Sequence, residues 1–267
     1  MSTNILAKIV AQKFVEVAER KKQISIGELE AMPLFAKEGN SLKLNLVDPN
    51  KTGIIAEFKR QSPSKGIINN TALVHDVTKA YSDFGASGIS VLTDTHFFGG
   101  SLDDLEIAVK NTTPVLRKEF IIDEFQIIEA KAYGASVILL IASCLTPAET
   151  KLLAGTAKAL GMEVLLEIHD KTEMGHISDE VDFVGVNNRS LKSFEVNIEH
   201  SLQLRSQLPK NKLSIAESGI YDMATFQLLK KEGFDGFLMG EYFMKQADPA
   251  KAFELFASQI KSSGNAI

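Results

Sequence analysis

Ile54-Ile55-Ala56-Glu57-Phe58-Lys59-Arg60-Gln61-Ser62-Pro63-Ser64-Lys65-Gly66 is a short apolar run that ends in charge and then in a loop of hydroxyls and glycine. Side chains alternate along a strand, so Glu57 and Lys59 share one face. Seven more apolar runs follow at intervals of about twenty to thirty-five residues, at 89–92, 114–116, 137–141, 164–168, 183–186, 213–216 and 237–239. Several close on polar residues as the first does: Lys118, Glu167, Asn187 with Arg189, Glu217 with Ser218, Gly240 with Glu241. Between the runs lie stretches of helical spacing. Eight strand–helix units make an α/β fold, the (β/α)8 TIM barrel, and a charge at the C-terminal end of a barrel strand has little purpose there except chemistry. A doubly wound open sheet is the alternative. It normally uses fewer units and a glycine-rich dinucleotide loop, and this chain has no such loop.

Punctuation between the runs fits the barrel. Ser101 with Asp104, Asp123 with Gln126, Thr146-Pro147 with Glu149, and Asp248-Pro249 are helix starts. Gly85, Gly134, Gly161 and Gly233 each close a helical stretch just before a strand. Residues 1–50 stand outside this rhythm. Ile5, Ile9, Val10, Phe14 and Val17 fall on one helical face, Ser25 and Glu28 have capping-box spacing, and Asp48-Pro49-Asn50-Lys51 breaks the chain before the first strand. The expectation is one domain over 1–267, with 1–50 a helical extension that either covers an end of the barrel or supplies part of its pocket. The tail, Ser262-Ser263-Gly264-Asn265, is expected to fray.

Bulk properties narrow the function. The 267 residues are 45% hydrophobic and 24% charged, with a net charge of −5, which does not suit a nucleic-acid partner. No apolar run approaches the length of a membrane span, and the N-terminus has no signal-peptide core. The single cysteine, Cys144, excludes an internal disulfide and reads as a buried structural thiol. A cytoplasmic protein without nucleic-acid or membrane partners, monomeric or weakly oligomeric, is the expectation. His75, His96, His169, His176 and His200 have no zinc spacing, so no metal is expected. No phosphate-binding Walker loop or Gly-x-Ser-x-Gly elbow is present.

Five constellations carry chemistry. Glu57 and Lys59 form a polarised pair suited to holding an anion or moving a proton; a structural ion pair is the plainer reading. After the third strand, alternation puts Leu116, Lys118 and Phe120 on one face, and Arg117 and Glu119 on the other. An inward Lys118 can serve as an acid, and Phe120 offers a flat wall to an aromatic group. Leu165 and Glu167 face inward together, and burial is expected to raise the Glu167 pKa, as suits a general base. His169 alternates to the other face and reads as structural. Asn187 and Arg189 share a parity and can fix hydroxyls and carboxylates; the plain reading of 187–194 is an Asn-rich turn with a surface Arg. Ser218-Gly219 and Gly240-Glu241, after strands seven and eight, suit a phosphate site built from backbone N–H groups.

The stretches IIAEFKRQSPSKG, VLTDTHFFGGSLDDL, PVLRKEFIIDEFQIIEAKAYGA, LLEIHD, VGVNNRSLKSFEV, IAESGI and LMGEYFM, in order from residue 54 to 244, resemble the indole-3-glycerol phosphate synthase family. The helical extension is also similar. Nothing resembling a fused second barrel follows residue 267, so the single-function form is expected. The resemblance implies a phosphorylated, anthranilate-derived substrate, 1-(2-carboxyphenylamino)-1-deoxyribulose 5-phosphate. It implies ring closure with loss of carbon dioxide and water, in tryptophan biosynthesis, without cofactor or metal. By the family pattern Lys118 resembles the general acid and Glu167 the general base for dehydration. Lys59 resembles the lysine that meets the substrate carboxylate, and Glu57 the carboxylate completing the polar mouth. Asn187 and Arg189 resemble the pair that orients substrate and the catalytic carboxylate. Ser62, Gly219 and Gly240 resemble phosphate positions, with Ser218 and Glu241 beside them, and Glu217 matches another polar strand end. Two positions depart. Glu119 stands where many relatives carry Asp, and its outward parity implies little effect. Gln61 occupies a loop position that is often basic or small. A phosphoribosylanthranilate isomerase would use a Cys/Asp pair, and Cys144 is not on the first strand. A non-catalytic phosphate-ligand sensor would need no Lys118 or Glu167.

Overall fold

The computed structural model describes residues 5–190 and 195–264. Leu191, Lys192, Ser193 and Phe194, from the Asn-rich stretch, lie outside the described residues, as does Asn265 of the tail. Eight strands, Ile54–Phe58, Gly88–Leu92, Val115–Lys118, Val137–Ile141, Glu163–Ile168, Phe183–Asn187, Leu213–Glu217 and Gly236–Met239, pair in parallel with their neighbours, and the last pairs with the first to close a barrel. The expected runs sit inside these strands, except that Pro114 falls one residue before the third. Lys118, Asn187 and Glu217 belong to the strands themselves, because the ladder continues through them: Lys118 pairs with Leu92, and Asn187 with Glu217. The charged ends are therefore held by sheet hydrogen bonds rather than by loops.

Alternation sorts the apolar side chains into two layers. Ile54, Ala56, Phe58, Ile138, Leu140, Leu166 and Val184 face the surrounding helices. Ile55, Leu116, Leu139, Leu165, Phe183, Ile215 and Leu238 fill the barrel interior. The extension packs on both ends. Helix α1 (Ile5–Gln23) brings Leu6 and Ile9 to the interior layer, and α2 (Ile26–Glu30) follows it through the reciprocal Ser25–Glu28 capping box. Helix α3 (Leu42–Val47) plugs the end where the strands begin. Two strand-opening glycines make room for the plug: a Cβ on Gly88 would stand 2.7 Å from Leu42 Cδ1, and one on Gly236 2.9 Å from Leu46 Cδ2. Glu163, opening the fifth strand, accepts from Ser41 Oγ at 2.5 Å and from the Leu42 N–H at 2.7 Å, fixing the start of α3.

The buried stripe of α1 is not the one expected. Leu6, Ile9, Lys13 and Val17 are buried, whereas Phe14 is 61% exposed. The stripe is rotated because Lys13 turns inward to Glu16, Asp94 and Glu119, at 2.6, 2.9 and 3.0 Å. Asp123–Gln126 and Thr146–Glu149 close as reciprocal capping boxes. At Ser101 only half a box forms, since the carboxylate of Asp104 is engaged by Arg60. Gly85, Gly134, Gly161 and Gly233 take φ of 92°, 84°, 71° and 91°, as helix ends before strands require. The last helix, Pro249–Gly264, runs through positions expected to fray, with Ser262 Oγ donating to the Ser258 carbonyl at 3.0 Å.

Candidate active site

The catalytic and substrate-binding candidates read from the sequence border one hollow at the C-terminal ends of the strands: Glu57, Lys59, Ser62, Lys118, Phe120, Glu167, Asn187, Arg189, Glu217, Ser218, Gly219, Gly240 and Glu241. Its floor is ionic. Lys118 Nζ lies 2.7 Å from Glu217 Oε2 and 3.2 Å from Glu167 Oε2. Lys59 Nζ donates to Glu57 Oε1 at 2.6 Å, and Ser90 Oγ donates to the other Glu57 oxygen at 3.4 Å. Two ammoniums and three carboxylates thus share one mouth, with both lysines still partly open to solvent.

Burial would lower the Lys118 pKa, but Glu217, Glu167 and Glu57 outweigh it and drive the pKa well above the ordinary lysine value. The two carboxylates beside it diverge. Burial pushes the Glu217 carboxyl up to about 7, with the charge of Glu167 adding to the rise and Lys118 opposing it. Glu167 goes the other way. Burial favours its neutral form, yet Lys118, His169 and a hydrogen bond from Asn187 hold it below the usual carboxylate range. The expected rise at Glu167 is therefore corrected: it belongs to Glu217, because the charged neighbours crowd around Glu167. Cys144 is half-buried, and burial pushes its thiol up to about 12, which keeps it protonated.

Alternation fails just past the strands. The third strand ends at Lys118, so Glu119 has no pleat to point it outward. It is buried on the border of the hollow, accepts from Thr93 Oγ1 and from the Phe120 N–H, both at 2.8 Å, and meets Lys13. The expected outward orientation of Glu119 is thus corrected. His169 departs in the same way: the fifth strand ends at Ile168, and the His169 Nε2 comes to 3.4 Å from Glu167 Oε1. Gln61 instead packs against Gly99, in a small hairpin that pairs Gln61 with Ile67, and is not among the residues bordering the hollow.

One side of the hollow is apolar and flat. Phe98 and Phe120 have ring centroids 5.9 Å apart, and Ile5, Leu6, Ile9, Leu139 and Ile141 complete the wall. Helix α1 therefore supplies part of the pocket, the sharper of the two roles open to the extension, while α3 covers the opposite end. Phe98 and the α1 residues escaped notice as site residues; in sequence they are indistinguishable from core positions. The other side is polar and rich in backbone. Ser218 and Gly219 are both left-handed, with φ of 66° and 74°, and Asn188 Nδ2 pins the Ser218 carbonyl at 2.6 Å. Gly240 precedes the short helix Glu241–Met244. Arg189 Nη2 reaches Tyr221 Oη at 3.0 Å and Glu241 Oε2 at 3.1 Å, and Lys65 lies 3.8 Å from the same carboxylate. Arg189 is thus not the surface residue of an Asn-rich turn. The arrangement can hold a ligand with an anionic end near residues 218–241, an aromatic end at Phe98 and Phe120, and a reacting centre over Lys118.

Known proteins resemble this chain along almost its whole length. The family model for indole-3-glycerol phosphate synthase matches residues 6–256. The indole-3-glycerol phosphate synthase of Bacteroides thetaiotaomicron is 42% identical over 259 residues, spanning 97% of this chain and 99% of that protein. The one from Polynucleobacter asymbioticus is 40% identical over 266 residues, spanning 96% and 100%. Among solved structures, tryptophan synthase subunit alpha from Legionella pneumophila superposes with a TM-score of 0.62 at 13% identity, covering 85% of this chain and 98% of that one. The 3-hexulose-6-phosphate synthase of Salmonella typhimurium gives 0.60 at 12% identity, covering 78% and 98%. At such identities these two matches speak for the barrel alone. No helix among the described residues is long and apolar enough to cross a membrane.

Proposed function

The chain belongs to the indole-3-glycerol phosphate synthase family, and on that footing we propose how its residues close the indole ring. The reaction is the decarboxylating and dehydrating ring closure of 1-(2-carboxyphenylamino)-1-deoxyribulose 5-phosphate to indole-3-glycerol phosphate, a carboxy-lyase step of tryptophan biosynthesis. The phosphate sits against Ser62, Ser218-Gly219 and Gly240-Glu241, where backbone N–H groups accept an anion without a change of protonation. The aromatic ring lies against Phe120 and Phe98 under the α1 side chains. Lys59 meets the substrate carboxylate. Anchored at both ends, the flexible substrate bends so that the ring carbon bearing the carboxylate faces the ketone carbon; much of the acceleration is this orientation.

Lys118 starts each cycle as an ammonium, because Glu217 and Glu167 hold its proton in place. As the ring carbon bonds to the ketone carbon, Lys118 gives that proton to the developing alkoxide. The bond to the carboxylate then breaks. Its electrons restore the aromatic ring, and carbon dioxide leaves. In the second stage the new hydroxyl leaves as water with a proton from an ammonium, and Glu167 takes the proton lost from the adjacent carbon. Glu167 is ionised and ready for this, whereas Glu217 can hold a proton near neutrality. Asn187 orients Glu167, and Arg189 orients the sugar end. Glu57 holds Lys59 in place. We place the enzyme in the cytoplasm, which a chain with a lone cysteine suits.

The observation that carries this reading is the placement of Lys118 between two carboxylates, over the hollow that Lys59 also borders. The test is direct: incubate the protein with the carboxyphenylamino substrate and follow indole fluorescence. Growth of the signal is expected, and its absence in the wild type overturns the assignment.

A further inference from the structure

We propose that His169 is a positioning residue for ring closure, clamping Glu167 as an imidazolium from the side opposite Lys118 and so fixing which of the two buried carboxylates is the base. This rests on the reading of Glu167 as that base. The two oxygens of Glu167 face two cations: Oε2 is 3.2 Å from Lys118 Nζ, and Oε1 is 3.4 Å from His169 Nε2. That imidazole nitrogen is buried and makes no hydrogen bond elsewhere.

The ring is held from behind. Its Nδ1 lies 3.3 Å from Ser143 Oγ and 3.7 Å from Glu173 Oε2. Glu173 accepts from Ser143 Oγ and from the backbone N–H of His169, both at 2.6 Å. The His169 carbonyl accepts from His200 Nε2 at 2.9 Å. Backbone and ring are tied on both sides, more than a chance contact beside a strand end requires. Glu173 turns back because the 3-10 segment Lys171–His176 starts at once, with Asp170 accepting the Thr172 N–H.

Charge counting gives the clamp its purpose. Without His169, Glu167 would keep only the Asn187 hydrogen bond and its share of Lys118, an ammonium that stands closer to Glu217. A second cation on Glu167 alone strengthens its preference for the ionised form. The groups around His169 are Glu167 and Glu173 from its own segment, Ser143 and the protonated Cys144 from the loop after the fourth strand, His200 at its carbonyl, and Glu217 with Lys118 beyond Glu167. Burial opposes protonation of His169, but Glu173, Glu167 and Glu217 together favour it and raise its pKa.

The test compares His169→Gln, Glu173→Gln and Glu167→Gln in the full-length enzyme, measuring kcat, KM, the pH profile of kcat and thermal melting. His169→Gln removes the charge and keeps a donor. It should lower kcat roughly tenfold with KM nearly unchanged. The acid limb of the profile should move up by about one pH unit, because a carboxylate that loses a cation takes up a proton more readily. Glu173→Gln leaves the ring but removes its anchor, and should move the limb the same way by less. If neither variant moves the limb while Glu167→Gln abolishes turnover, the clamp is refuted and the base assignment stands. If Glu167→Gln keeps full turnover, the base assignment fails and takes the clamp with it. Should His169→Gln fail to fold, Glu173→Gln decides alone.

Discussion

Glu217 lies directly over Gly185: a Cβ at position 185 would stand 2.1 Å from Glu217 Oε1. Gly185 is the sheet partner of Glu167 on one side and of Ile215 on the other. The strand between the two carboxylates therefore carries no side chain at this level, which lets both reach Lys118. A Gly185→Ala substitution meets the movable end of Glu217, so the fold should tolerate it and the carboxylate should shift. We expect a melting temperature within a few degrees of wild type, with kcat lower by about a hundredfold, the order expected for displacing a catalytic constellation by an ångström. Paired melts and turnover assays decide it; unchanged turnover would mean that Glu217 can move without consequence.

Lys118→Met removes the proposed acid and should lower turnover by roughly 10²–10⁴-fold. It also leaves Glu167 and Glu217 buried without their ammonium. Glu217 then rises further above its unfolded value, and Glu167, left with His169 and Asn187, rises from its lowered one, so the folded protein binds protons more readily than wild type. For such a carboxyl the favourable contribution is present at low pH and is lost as pH rises through the folded value. The variant should therefore lose more melting temperature relative to wild type at about pH 8 than at about pH 5.5. An equal deficit at both would show that the carboxylates do not depend on Lys118 for their charge.

Glu217 in the wild type gives a complementary signature. Its folded pKa of about 7 lies above the ordinary 4.5, so stability is lost as pH rises between these two values. The slope is at most about 1.4 kcal/mol per pH unit. Glu217→Gln removes that titration, so its melting temperature should gain on wild type as pH rises from about 5 to 8. A constant difference across this range would place the raised carboxyl elsewhere.

The sequence revealed the barrel because buried parallel strands are written as apolar runs, and every run coincides with an observed strand, Pro114 alone falling just outside. Alternation also placed Glu57, Lys118 and Glu167 on one mouth, since each lies within a pleated strand. It failed at Glu119 and His169, one residue past a strand end, where backbone direction depends on the loop that follows. The contrast between Glu167 and Glu217 was not readable, because it arises from charges brought together from four strand ends. The stripe of α1 was misread because a lysine counts as polar in any periodicity, whatever carboxylates await it. Gly185 did leave a signal: a glycine inside an apolar strand marks the close approach of another group.

Lys13 supplies the last prediction. It is 4% exposed and bridges α1 to Asp94 and Glu119, one carboxylate capping the helical turn that carries Phe98 and the other adjoining Phe120. Arg20 adds a second tie, to Glu129, which also binds Arg117. Replacing Lys13 by Met keeps the apolar stem but strands two buried carboxylates, and breaking a buried pair by removing one partner typically costs about 3–5 kcal/mol. The barrel does not need α1 to close, so the cost falls on docking of the helix and on the pocket wall formed by Ile5, Leu6 and Ile9. Hydrogen exchange over residues 5–23 should quicken, and KM should rise roughly tenfold with a smaller fall in kcat, because the loss is one of substrate binding. Adding Asp94→Asn and Glu119→Gln to Lys13→Met should recover part of the protection, since no unpaired charge then remains buried. If exchange in α1 is unchanged by Lys13→Met, the apolar contacts of Leu6, Ile9 and Val17 hold the helix by themselves.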